Sequence, residues 1–226
     1  MSSNHGHRLQ KVKAILHIRQ SIQQDVFDYT QLMDALKEYS KPRDIVSSLI
    51  RKGYIIRVRK GLYFFGPVWQ KQPVSHEMLA NLIYGPSAIS LEYALAWYGL
   101  IPERVDMFTS ITTGRSRFFD TPAGQFSYVH VSEKRFAFGI TLQTASQMNW
   151  VITEPLKALA DKVWTDKRFQ PVSQASYADY LFEDLRIDKS VLEKYFSKGN
   201  VKELKKAYSS RKISWMVEFL LKNLGE

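Results

Sequence analysis

Apolar residues recur at helical spacing from the start of the chain: Leu9, Val12, Ile15, Leu16 and Ile22 predict a helix from about Leu9 to Gln20. Val26-Phe27 reads as a short extended piece. Thr30 predicts the cap of a second helix that buries Leu32, Met33 and Leu36. Ser40 predicts the cap of a third, with Pro42 in its first turn, Asp44 at its positive end, and Arg51 and Lys52 at its negative end before Gly53. On a helical wheel Ile45, Val46, Leu49 and Ile50 share one face. Asp44, Ser47, Ser48 and Arg51 share the other, flanked by Lys41, Arg43 and Lys52. The pattern then changes to alternation, with Ile56 and Val58 pointing one way and Ile55, Arg57 and Arg59 the other, and Lys60-Gly61 makes a turn. Helix, short strand, helix, turn, donor-faced helix and basic hairpin are the order of a winged helix-turn-helix, complete within residues 1–66.

The second domain is expected over residues 67–226, after a linker at Pro67–Pro73. Val74–Tyr84 and the nearly all-apolar Ser87–Tyr98 predict helices, and Glu92 interrupts the second. Met107–Thr113, Arg117–Phe119, Gln125–Val131 and Phe136–Thr141 predict strands of a mostly antiparallel meander. Gly114, Asp120–Gly124 and Ser132-Glu133-Lys134 supply its turns. A further strand at Met148–Ile152 precedes a helix capped by Thr153, with Leu156, Leu159, Ala160 and Val163 facing inward. Residues 176–226 read as helical throughout. There the stripe Ile213, Met216, Val217, Leu220, Leu221 and Leu224 is expected to dock on its own domain. The fold class is therefore α+β: an N-terminal winged helix-turn-helix, then a mixed domain with an antiparallel sheet and a helical C-terminal part.

Composition sharpens this reading. Residues 1–66 hold 12 Lys and Arg against 5 Asp and Glu, residues 67–188 hold 11 against 13, and residues 189–226 hold 9 against 4. The net charge of +10 thus sits at the two ends and points to a polyanionic partner. The absence of cysteine excludes disulfides and thiolate metal sites and fits a reducing cytoplasm. No apolar run approaches the roughly 20 residues of a membrane helix, and the first residues lack an apolar signal segment.

The search for chemistry is mostly negative. No HExxH, GxSxG, phosphate-loop or GxGxxG pattern is present. A Mg²⁺ nuclease needs an acidic pair and an (Asp/Glu)-x-Lys run in its sheet, and Asp120 and Glu133 are followed by none. His5 and His7 stand in a terminal HGH triplet read as a loose tail. Glu92 is read as a satisfied or edge-facing residue. The chain is accordingly read as no enzyme, with no cofactor and no metal. Arg115 and Arg117, among hydroxyls in TTGRSR, form a candidate secondary phosphate contact; a plain exposed basic hairpin is the competing reading.

The stretches VFDYTQL and RDIVSSLIRKGYIIRVRKGLY resemble the winged-helix part of AbiEi-type antitoxins, the regulators of abortive-infection type IV toxin–antitoxin pairs. YGLIPE, TSITTGRSRFFDTPAGQFSYVHV, the Phe-x-Phe-Gly at Phe136–Gly139 and ITEPLKALADKV resemble that family's C-terminal domain, over about residues 10–165 in all. In the last motif Pro and Glu are transposed relative to the family's TPEKALLD-like peptide. The resemblance implies a transcriptional autorepressor bound to inverted repeats in double-stranded promoter DNA. It also implies an antitoxin that counters a nucleotidyltransferase-like toxin from the same operon, without requiring a direct complex. Carried over, Arg43, Ser47, Ser48 and Arg51 would face bases, and Arg57, Arg59 and Lys60 would grip the backbone, with Lys41 and Lys52 flanking them. The alternative is a ligand-responsive winged-helix regulator without a toxin, holding an apolar pocket after Pro67.

Overall fold

The computed structural model describes residues 13–145 and 148–224. The helix start expected at Leu9 and the terminal His5 and His7 lie outside the described residues. The chain is α+β and divides into two units: one runs to Ser75 and includes the Thr121–Ala123 turn, and the other comprises His76–Asp120 and the chain from Gly124 onward.

In the first unit α1 (13–21) leads to β1 (Val26–Asp28), α2 (Tyr29–Ala35), α3 (Pro42–Arg51), β2 (Ile55–Arg59) and β3 (Leu62–Phe65). The strands form an antiparallel sheet in the order β1-β3-β2. Ile15 and Ile18 of α1, Leu32 of α2, Val46 and Leu49 of α3, and Phe27, Ile55, Tyr63 and Phe65 of the sheet make one buried cluster. The Arg19 guanidinium lies 4.4 Å from the Phe65 ring centroid, donates to the carbonyls of Ile22, Gln23 and Gln24, and pairs with Asp25 at 3.2 Å. Asp25 in turn accepts the backbone N–H groups of Lys71 (3.0 Å) and Gln72 (3.1 Å). The Pro67–Pro73 stretch, expected as a linker, is therefore tied into the first unit by a buried carboxylate.

Two helix starts differ from expectation for local reasons. Asp28, not Thr30, caps α2: its carboxylate accepts Gln31 N–H at 2.8 Å, and Gln31 Oε1 accepts Asp28 N–H at 2.9 Å. That reciprocal pair answers two otherwise unpartnered donors. Lys41, not Ser40, holds the cap position of α3, with no side-chain bond. Pro42 at the first helical position pushes its predecessor out of the helical region, which sets that boundary.

The second unit opens with α4 (His76–Ile83), β4 (Ser87–Ile89), α5 (Leu91–Trp97), β5 (Phe108–Thr112), β6 (Arg117–Thr121) and β7 (Gly124–His130). It continues through α6 (Glu133–Phe136), β8 (Ile140–Ala145), β9 (Met148–Thr153) and α7 (Pro155–Thr165). Its sheet has six strands in the order β6-β7-β5-β4-β9-β8. The meander expectation is corrected: β4–β5 and β8–β9 are antiparallel, whereas β5–β7 and β4–β9 are parallel. The single helix expected over Ser87–Tyr98 splits into β4 and α5. All three residues of β4 are buried between neighbouring strands, and a strand covered on both faces has the same uninterrupted apolar signature as a buried helix. The strand expected from Phe136 and the turn expected at Ser132-Glu133-Lys134 are likewise corrected, because Glu133–Phe136 is helical and β8 begins at Ile140.

Thr153 does not cap α7; that position belongs to Glu154. The Thr153 hydroxyl instead joins a buried polar knot, donating to Ser90 Oγ (3.1 Å), which donates to Asp161 Oδ2 (2.7 Å). Lys157 Nζ lies 2.6 Å from both Asp161 oxygens and 2.9 Å from Tyr208 Oη, and Tyr208 Oη also donates to Asp161. Lys157, Asp161 and Tyr208 have no exposed surface. Burial lowers the Lys157 pKa, with Asp161 opposing, and burial followed by the Asp161 charge raises that of Tyr208. Tyr208 is brought in by α10 (Lys198–Tyr208). This follows α8 (176–184), whose Asp179–Asp184 part is a π-helix, and α9 (Lys189–Tyr195); α11 (Arg211–Leu224) ends the described chain. Ile213, Met216, Val217 and Leu220 of α11 are buried, and Leu221 and Leu224 are half-buried.

Asp28→Ala is expected to lose about 1 kcal/mol of stability, the usual cost of a lost cap. Lys157→Ala would leave a buried carboxylate without its cation and cost roughly 3–5 kcal/mol. Urea unfolding followed by circular dichroism checks both.

Candidate nucleic-acid interface

The amphipathic pattern of α3 is realised in the first unit. Val46 and Leu49 point into the core, Ile45 and Ile50 are half-buried, and Lys41, Arg43, Asp44, Ser47, Arg51 and Lys52 are exposed. Ser48 does not share that face; it is only 9% exposed and packs inward. One helical turn away on either side, Asp44 and Lys52 are exposed. The exposed Ser47 hydroxyl donates to Arg43 O at 3.0 Å, so its proton is already used within the helix.

Gly53 ends α3 with φ 68°, a left-handed turn that suits glycine. Tyr54 N–H bonds back to Leu49 O at 3.0 Å, and β2 begins at the next residue. The hairpin departs from simple alternation. Arg57 opposes Tyr63 and Arg59 opposes Leu62, so Val58 is an extra, bulged residue. The bulge keeps Val58 buried while Arg57, Arg59 and Lys60 all stand exposed at the tip. Eight of the nine residues named for this surface, all but Ser48, thus lie in exposed positions on one helix and the hairpin that follows it.

Arg115 and Arg117 belong to the second unit, where both are exposed. Their loop is folded onto β7: Ser116 Oγ accepts His130 N–H at 3.0 Å, and His130 Nδ1 lies 2.9 Å from Gly114 O. Glu92 is paired, with Lys162 Nζ 2.7 Å from its carboxylate; Lys162 also lies 3.5 Å from Asp166. Among the described residues no group of three or more His, Asp or Glu is placed to hold a metal. A groove of about 590 Å³ in the second unit is lined by apolar residues, among them Val105, Met107 and Val129, and by charged ones, among them Glu92, Lys162 and Asp166.

The buried Lys157–Asp161 pair escaped sequence reasoning. Its only signal was two charges four residues apart on a helix whose other residues are nearly all apolar, a spacing that also describes a surface pair. Its full enclosure makes it a structural tie. No protein-family model matches the chain, and no curated protein matches it.

Burial alone would raise the pKa of Asp166, but the Arg168 backbone N–H, the Lys162 charge, the Arg168 side chain and the Tyr180 hydroxyl together hold it down at about 2, against an ordinary 3.8. A carboxylate depressed on folding adds stability above the unfolded value, and that contribution is lost as pH falls through the folded value. Between pH 3.8 and about 2, wild-type protein should therefore lose stability more steeply than Asp166→Asn, as read from urea midpoints across that range.

Proposed function

We propose that the first unit is a winged helix-turn-helix and that the chain is a promoter-binding transcriptional autoregulator. The observation that carries this reading is the exposed Arg43–Ser47–Arg51 face of α3, joined by the three residues Lys52, Gly53 and Tyr54 to a hairpin on which Arg57, Arg59 and Lys60 are exposed. In this reading α3 enters the major groove and its side chains meet base edges, while the hairpin holds phosphates. The high positive charge of residues 1–66 supplies the counterion-release part of the affinity. Ser48 is withdrawn from the base-facing set because of its burial. No described helix is long and apolar enough to cross a membrane, and the absence of cysteine suits action in the cytoplasm.

The antitoxin part of the proposal rests on the sequence resemblance. The second unit would counter a nucleotidyltransferase-like toxin encoded beside it, with or without direct contact. The second reading, a ligand-responsive regulator, is favoured by the mixed apolar and charged groove of the second unit. Co-expression separates the two: rescue from a neighbouring toxin supports the first, and small-molecule release from DNA supports the second.

Fluorescence anisotropy against the chain's own upstream DNA and a scrambled duplex, over a salt series, tests the DNA claim. Affinity for the cognate duplex should fall by roughly 0.9 log units per log unit of salt for each phosphate neutralised. Arg57→Ala should weaken both duplexes about equally and flatten the slope. Arg51→Ala should cost about 1–3 kcal/mol on the cognate duplex alone, the worth of a bidentate base contact. Equal, weak binding to both duplexes by the wild type would refute promoter recognition.

A further inference from the structure

We propose that β8 of the second unit is a self-pairing edge through which two copies of the chain associate. β8 is the outermost strand on its side of the sheet, paired without interruption to β9 from Ile140↔Thr153 to Ala145↔Met148. Glu154 N–H donates to Gly139 O at 2.8 Å, which fixes the phase of this antiparallel ladder. Thr141 and Gln143 therefore direct their backbone groups at β9, and Ile140, Leu142 and Thr144 direct theirs outward. Among the described residues no backbone group answers these three on the outer side.

Sheet edges of soluble proteins are normally guarded by charge, proline or a bulge. β6, at the other edge, carries Arg117 and Asp120. β8 reads Ile-Thr-Leu-Gln-Thr-Ala, with no charge, no proline and no break in register. Its Leu142 is 62% exposed. Thr144 Oγ1 donates to Asn149 Oδ1 at 2.7 Å, bracing the strand against its neighbour. The strand is extended, braced and unguarded.

The occupant that fits is the same strand of a second copy, running antiparallel about a two-fold axis, because an uncharged strand opposes itself without repulsion. The outward backbone groups set the register. Leu142 lies opposite Leu142 of the second copy, and Ile140 lies opposite Thr144 on either side. A register centred on Gln143 would engage less of the strand and would leave each leucine opposite a threonine. The Leu142-centred pairing joins two sheets into one and covers both exposed leucines.

Sedimentation equilibrium of the full chain without DNA tests this, using wild type, Leu142→Lys, Leu142→Glu and an equal mixture of the two variants. The expected masses are two chains for wild type, one for each variant alone, where like charges meet on the axis, and two again for the mixture. Amide exchange provides the control for folding: Gln143, bonded to β9, should stay protected in every sample, and Leu142 only in the dimeric ones. A wild-type mass of one chain at all concentrations, dimeric single variants, or a mixture that stays monomeric would each overturn the pairing.

Discussion

The first unit depends on a close approach of two backbone segments. A Cβ on Gly66 would lie 1.8 Å from the Gly53 carbonyl oxygen, and Gly66 N–H bonds Tyr54 O at 2.8 Å. The end of α3 and the end of β3 are thereby clamped together at the point where the chain leaves the helix for the hairpin. With Leu49 and Phe65 both fully buried just before this clamp, the helix cannot rotate on the sheet without opening a cavity in a close-packed core. The direction of the exposed α3 face relative to the hairpin tip is therefore fixed by packing and by two glycines. The charged residues themselves lie exposed on this frame, outside the buried cluster that holds it.

The second unit is organised by a different constraint, the need to satisfy a buried carboxylate. Asp161 receives Lys157 from its own helix, Ser90 from the β4–α5 turn and Tyr208 from α10. Each donor sits on a separate element, so the knot ties the central strand, the helix above it and the C-terminal helices together. Replacing such a cluster with apolar residues can leave stability unchanged, whereas removing one member leaves a buried charge uncompensated. The cluster thus specifies which elements meet, and apolar packing supplies most of the net stabilisation.

The sequence was most legible where local signals agreed. In the first unit the 3.6-residue period of α3, Pro42 at its start, Gly53 at its end and the alternation after it all pointed to one arrangement, and the described helix and hairpin follow it closely. The departures there are local: caps shifted by one or two residues, a bulge at Val58, and Ile55 and Ser48 buried rather than outward. Ser40 and Thr30 gave way to Lys41 and Asp28, and Ser48 turned inward because it sits at the margin of the apolar stripe. In the second unit the signals failed where burial erased periodicity. Ser87–Ile89 and Leu91–Trp97 are both apolar apart from Ser87 and Glu92, and only the pairing of β4 with β5 and β9 distinguishes strand from helix. Parallel pairing was invisible for a related reason: β5 and β7 join through β6, and nothing in their composition encodes which neighbour lies between. The Asp161 knot was hidden because its members are scattered from Ser90 to Tyr208.

Charge and size together bear on how such a chain would achieve selectivity. A single module of this kind buries about 600–1,000 Å² on DNA, and only α3 presents side chains suited to base edges. If the proposed DNA reading holds, one copy would have few opportunities to discriminate, while its cations would bind any duplex. Coupling two copies through the second unit would make the second contact intramolecular, and effective concentration then raises affinity for paired half-sites without any new base contact. The middle of the chain suits that role. Residues 67–188 carry near-balanced charge, so two second units would meet without the repulsion that two basic N-terminal units would impose. On the two proposals together, the uneven charge of the chain and the unguarded edge of β8 would be two parts of one arrangement, in which one unit would contact the polyanion and the other would set how many such units act together.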